Sequence, residues 1–332
     1  LGRNKITFEI SRRAALVGGA SVLASSAPFA SSMAADAYPS RPVHVSIGFP
    51  AGSGADILCR YFSRALEEKA RQPFIVENKP GATGNIALRF IARAEPDGYN
   101  VLMTANSNMA GSRYLFKDLA FDTLTDFKAV ASYAQIAFVV VVAPNSPINS
   151  IAELIAKMKS KPNNLHGYPN QTAQLSSELF KQLAGVQAKA VSYKSATDAM
   201  KDILDSTLDF MIIDGTFAAG QVRQGQLKAL AVTTTSRSPS FPNVPTLVET
   251  GLKEFDFSPW WALYVPAKTP QAIVNQLEGW MHEINKAPAT AAFLETVGSI
   301  TNDDTGPQAD ARLKAELPKW ERLVKLAGIE PQ

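Results

Sequence analysis

Short apolar segments of two alternating periodicities run along this chain, and their order restricts the fold more than any other feature. Val43, Val45 and Ile47 alternate with His44, Ser46 and Gly48, the period-two pattern of a strand. The glycine-rich turn 50–54 follows at once, and Ile57, Leu58, Tyr61, Phe62 and Leu66 then recur at helical spacing within residues 55–70. The alternation repeats as a strand at 74–77, a helix at 84–94, a strand at 100–104 and a helix over roughly 109–116. Strands alternating with helices predict an α/β protein whose mainly parallel sheets are flanked by helices on both faces.

A second series follows the apolar run 136–143, read as one buried strand ended by Pro144. Ser150 and Glu153 have the spacing of a capping box at a helix start. Helices at 172–184, closed by Gly185, and at 196–204 alternate with strands at 189–192, 208–213 and 227–233. A proline-rich stretch, 238–245, and a short helix, 246–250, lead to a strand at 260–265. Pro270 opens a helix over 271–286, and the chain ends helically over roughly 309–326.

At 332 residues the chain is long enough for two folding units. Two comparable halves predict two domains with a cleft between them, a common place for a small-molecule site. Crossings are expected near Ala143 and Pro259. They give an export segment 1–37, a first lobe of 38–142 plus 260–332, and a second lobe of 143–259.

Composition excludes several functions. The 33 basic and 30 acidic residues are scattered without basic runs, so no nucleic-acid partner is expected. Cys59 is the only cysteine, which rules out an intramolecular disulfide, a cysteine zinc cluster and a redox pair. Histidine is limited to His44, His166 and His282, and His282-Glu283 lacks the second histidine of a zinc-protease helix. No metal or other cofactor is therefore expected. A hydrolase or transferase is the enzymatic alternative, but there is no Gly-x-Ser-x-Gly elbow, and Cys59 within an amphipathic helix reads as a core residue.

The N-terminal segment reads as an export signal. Arg3, Lys5, Arg12 and Arg13 precede a weakly apolar run, 14–24, and small residues continue to Ala37. Ser11-Arg12-Arg13 resembles a twin-arginine signal, with a general secretory signal as the equal alternative, and cleavage would follow Ala34 or Ala37. No apolar run reaches the length of a membrane span.

Two loops carry the candidate chemistry. Residues 49–56 and 77–85 each leave a strand and open a helix, so backbone N–H groups and the positive helix end can face an anion. Neither is a phosphate-binding Walker loop or a three-glycine dinucleotide fingerprint. Either could instead be a tight turn kept for geometry, and Lys79 reads as a solvated lysine.

These loops, Asp97-Gly98-Tyr99, Tyr193-Lys194 and the run 227–233 share their order with a known pattern. Arg237-Ser238-Pro239, the stretch 242–246, the stretch 260–266 and Trp320 with Ala327-Gly328-Ile329 complete it. Together they resemble the Bug family of tripartite tricarboxylate transporter receptors from about Tyr38 to the C-terminus. The resemblance implies a periplasmic binding protein fold whose two lobes close on a small organic carboxylate. The two loops would hold that carboxylate through amides, hydroxyls and ordered water. The protein would be a periplasmic monomer whose partners are the membrane permease subunits. A sensor kinase is the alternative receiver.

Carried over by position, the first-lobe ligand residues are Phe49, Gly52, Ser53, Asp56, Ala82, Thr83, Gly84, Asn106 and Ser107. In the second lobe they are Tyr168, Asn170, Gln171, Thr172, Gln174, Asp214 and Thr216. The chain departs from the family pattern at Ala51, Ser53, Thr83, Ala262 and the polar stretch 170–174, which makes the loops bulkier and more hydroxylic. Trp260 and Trp261 must point to opposite faces of their strand, so one at most faces the cleft. Asp56 also suits a purely structural role at a helix start, and Asp214 either caps its neighbours or meets an amine or hydroxyl on the ligand.

Overall fold

The computed structural model describes residues 1–2, 38–161, 163–255 and 257–331. The chain parts into two units, Leu1–Ala37 and Tyr38–Gln332. Apart from Leu1 and Gly2, the expected export segment lies outside the described residues, and every element below belongs to the second unit.

The first strand-loop-helix unit is β1 (Val43–Ile47) with α1 (Gly54–Ala70), followed by β2 (Phe74–Asn78) with α2 (Asn85–Ala92) and by β3 (Asn100–Ala105) with α3 (Ser112–Leu115). Then come β4 (Phe127–Ile136), β5 (Phe138–Val142), α4 (Ile151–Ser160), β6 (Leu165–Tyr168), α5 (Gln171–Ala184), β7 (Lys189–Ser192) and α6 (Met200–Leu204). The remainder is β8 (Phe210–Asp214), α7 (Gly215–Arg223), β9 (Lys228–Val232), β10 (Trp260–Pro266), α8 (Gln271–Lys286), α9 (Pro288–Thr296), β11 (Ser299–Thr301) and α10 (Gly306–Leu326).

The strands form two sheets, a six-stranded one in the order β11-β4-β10-β3-β1-β2 and a five-stranded one in the order β7-β6-β8-β5-β9. Each contains a parallel trio, β2-β1-β3 in the first and β7-β6-β8 in the second. Each trio is extended by antiparallel strands, among them β10 and β4 in the first sheet and β5 and β9 in the second. The fold is thus two α/β lobes, each a sheet flanked by helices.

The sheets divide at Ala137. Ile136 pairs with Ser299 in the first sheet, whereas Phe138 pairs with Asp214 in the second. The apolar run 136–143 is therefore not one strand of the first lobe, and Phe138–Val142 belongs to the second sheet. Both strands are buried on both faces, so hydrophobicity continues across the crossing and periodicity does not mark it. The first sheet resumes at Trp260.

Other departures have local causes. The stretch 246–250 is a single turn rather than a helix: Thr246 and Glu249 make a capping box, but Gly251 follows with φ +103 and stops the helix from continuing. The helix expected over 196–204 is reduced to α6, and the one over 109–116 begins as a π-helical turn at Ser107–Gly111 before α3. The reading missed most of β4, β6, α7, α9 and β11, which are short or continuously buried.

The core of the first lobe packs Phe62 on Tyr133, ring centroids 4.5 Å apart, and Trp320 edge-on against Phe257 at 5.1 Å. In the second lobe the buried His166 ring stacks on Phe210 at 5.4 Å. Cys59 is fully buried, and burial pushes its thiol up to about 12, which leaves it an inert core residue. Among the described residues, no helix is long and apolar enough to cross a membrane.

Candidate functional site

Strands β1, β2, β6 and β8 all end at the cleft between the sheets, and the next helix starts there in each case. The starts of α1 and α2 from one lobe and of α5 and α7 from the other border one cavity of about 570 Å³. First-turn N–H groups of an α-helix have no acceptor within the helix, so these ends can face an anion without a basic side chain. Among the described residues, the cavity lining includes no Lys, Arg or His.

The first loop is held from behind. Ser53 caps α1, its Oγ accepting from the Asp56 N–H at 3.3 Å and donating to the Pro50 carbonyl at 2.7 Å. The Asp56 carboxylate accepts from the Gly52 N–H at 2.9 Å, Arg60 Nε at 2.9 Å and Asn78 Nδ2 at 2.8 Å. Burial alone would raise this carboxyl, but the donors from Arg60, Asn78 and Gly52 hold it below the usual range. Asn78 Nδ2 also donates to the Phe49 carbonyl at 3.0 Å, which joins the first loop to the end of β2. Phe49 and Ser53 line the cavity, whereas Gly52 and Asp56 do not. Asp56 is a brace for the loop.

The second loop meets the first at two glycines. A Cβ on Gly48 would fall 2.6 Å from the Gly84 Cα, and one on Gly84 would fall 2.6 Å from Asn108 Nδ2. Gly84 also takes φ +87, so any other residue there would be both strained and blocked. Asn108 Nδ2 donates to the Thr83 carbonyl at 2.5 Å, and Thr104 Oγ1 donates to Asn108 Oδ1. Thr83 and Gly84 line the cavity, and Ala82 does not.

After β3, Ser107 faces the cavity and Asn106 turns away from it. The Asn106 side chain accepts from the Trp260 N–H at 3.2 Å and donates to Glu316 at 2.8 Å, so it ties β10 to α10. Asn108, two residues on, also lines the cavity and is not among the expected site residues. The triplet Asn106-Ser107-Asn108 was the available signal, but the π-helical turn decides which amide points inward.

From the second lobe, Tyr168, Asn170, Gln171, Thr172, Asp214 and Thr216 line the same cavity, and Gln174 does not. Asn170 caps α5 through the Ala173 N–H at 2.9 Å, which places Gln171 and Thr172 at the helix mouth. Asp214 caps α7 through the Phe217 N–H at 3.0 Å. Burial raises the Asp214 carboxyl above its usual range, with the N–H groups of Phe217 and Thr216 partly opposing it. Thr216 Oγ1 donates to the Val297 carbonyl at 2.8 Å and so joins the second lobe to the first.

The walls are aromatic. Trp261 packs against Phe49 with ring centroids 5.1 Å apart, and Phe138 and Trp320 also line the space. Trp260 points to the opposite face, its indole N–H donating to Glu316 at 3.0 Å. Phe138 and Trp320 escaped the sequence reading because strand and helix periodicity mark both as core residues.

The family model described as TctC, tripartite tricarboxylate transporter family receptor, matches residues 58–329. Protein BugT of Bordetella pertussis is 29% identical over 327 residues, covering 97% of this chain and 99% of BugT. The structure of R. palustris Rpa4515 with adipate superposes at a TM-score of 0.80 with 28% identity, over 89% of this chain and 100% of that one. The periplasmic binding protein BugD superposes at 0.77 with 28% identity, over 89% and 100%.

Proposed function

We propose a specific role within the family to which this chain belongs, the tripartite tricarboxylate transporter receptors described as TctC. It is a solute-binding receptor of the Bug type and not an enzyme. In our reading it works in the periplasm, captures a small organic carboxylate between its lobes and delivers it, as a monomer, to the permease subunits of a tripartite transporter. The carrying observation is the cavity bordered by four helix N-termini with no basic side chain among its described lining residues. Such a site binds an anion through fixed dipoles and needs no buried counter-charge.

The carboxylate is assigned to the first two loops, with Ser53, Thr83, Gly84 and Ser107 as its first-lobe partners. Tyr168, Asn170, Gln171, Thr172, Asp214 and Thr216 close over it from the second lobe. The lobes are assigned to 38–137 plus 260–331 and to 138–259, with hinges at Ala137 and Pro259. Closure requires the ligand to bind the closed state more tightly than the open one.

A thermal-shift screen of small carboxylates tests this, because a ligand that binds only the folded protein raises its melting temperature by mass action. One or more carboxylates should stabilise the protein, with no product formed on prolonged incubation. Stabilisation by uncharged compounds alone would refute the carboxylate site.

A further inference from the structure

We infer that the cargo is a monocarboxylate built on a flat aromatic ring, rather than an aliphatic dicarboxylate. This rests on the carboxylate reading of the same cavity and narrows it. Aromatic residues line the cavity from both lobes: Phe49 and Trp261 from the first, Phe138 and Tyr168 from the second. Trp261 is 4% exposed and braced by Phe49 at 5.1 Å, so its ring is held rigidly at the wall. Closing such faces on a flat ring gives stacked or edge-on contacts that an extended aliphatic chain does not make.

Charge points the same way. Of the four helix N-termini at the cavity, that of α7 already carries the Asp214 carboxylate as its cap, which leaves the first two loops as the carboxylate site. Asp214 is an acidic residue on the second-lobe side of the cavity, and no salt bridge reaches it among the described residues. A second ligand carboxylate would lie in the same cavity as Asp214 with no cationic lining residue to offset the repulsion.

Isothermal titration of the full-length protein with benzoate, phenylacetate, hexanoate and adipate tests the inference, read beside tryptophan fluorescence. A ring acid should bind at least tenfold tighter than hexanoate and adipate and should change the emission of Trp261. Trp261→Leu and Phe138→Leu, each checked for a cooperative melt, should weaken the ring acid at least fivefold more than hexanoate. Two variants on different lobes guard against one of them misfolding. Adipate binding as tightly as the ring acids would overturn the ring preference while leaving the carboxylate receptor intact, as would equal losses for both classes in the variants. No binding by any of the four acids would overturn the carboxylate reading along with the inference.

Discussion

Gly215, at the start of α7, and Gly298, in the turn before β11, meet backbone to backbone where the second lobe touches the first. A Cβ on Gly298 would lie 2.5 Å from the Gly215 carbonyl carbon, and one on Gly215 would lie 2.7 Å from the Ala137 carbonyl oxygen. The Gly215 N–H donates to that same Ala137 carbonyl at 2.7 Å. The contact therefore sits at the crossing between the sheets and beside Thr216 in the cavity. Gly298→Ala would add a left-handed strain of about 1–2 kcal/mol at φ +68 and force the two turns apart. The variant should melt lower by about 2–4 °C and bind its ligand more weakly. Melting and affinity equal to the parent would mean that the contact does not form in solution.

Ser53→Asp places a negative charge at the mouth of the first loop. Aspartate caps a helix as well as serine, so α1 should form unchanged. Carboxylate binding should be lost in titration while the melting temperature of the free protein stays within about 2 °C. Undiminished affinity would remove the first loop from the site.

Glu316 joins three elements by accepting from the Trp260 indole at 3.0 Å, Asn106 Nδ2 at 2.8 Å and Arg312 Nε at 3.2 Å. Glu316→Ala leaves the first two donors buried without a partner, at a cost of roughly 1–3 kcal/mol. Urea unfolding should show the loss as a lower midpoint with an unchanged slope. A Glu316→Ala midpoint equal to that of the parent would show that the network contributes no stability.

The pH dependence of stability should contain an Asp56 component of known sign. Its folded carboxyl sits below the unfolded value, so its stabilising effect is complete above the unfolded value and is lost as pH falls through the folded one. Asp56→Asn should therefore be less stable than the parent at neutral pH, with the gap closing in acid. A gap that stays constant from neutral pH into acid would place the Asp56 contribution outside its charge.

Asp214 has the opposite sign. Burial raises its folded value, so its stabilising effect is greatest below the unfolded value and declines as pH rises towards the folded one. Asp214→Asn keeps an acceptor for the Phe217 N–H and removes the buried charge, and should be at least as stable as the parent at neutral pH. Asp214→Ala loses the cap and should cost about 1 kcal/mol. Equal stability of the two variants would show that the cap contributes nothing.

Much of the site is legible from local pattern. A strand, a glycine-rich turn and a helix at 43–70, then again at 74–92, announce two helix ends on one side of a sheet. The family likeness adds the second-lobe loop at 168–172. Gly52, Asp56, Ala82, Asn106 and Gln174 lie off the cavity lining, because position in a motif does not say which way a residue turns. Asp56 is drawn back by Arg60 and Asn78, and Asn106 is drawn across to Glu316, 210 residues away.

The sequence by itself determined the α/β class, the order of most elements and the two anion-facing loops, since these depend on periodicity, capping and turn chemistry within a few neighbouring residues. Only the tertiary structure decided that the apolar run at 136–143 belongs to two sheets. It also decided that Asn108 rather than Asn106 reaches the cavity and that Trp261, Phe138 and Trp320 line the same cavity. Those outcomes come from pairing and packing between segments far apart in the chain, where an apolar residue facing a cavity has the same local pattern as one facing the core.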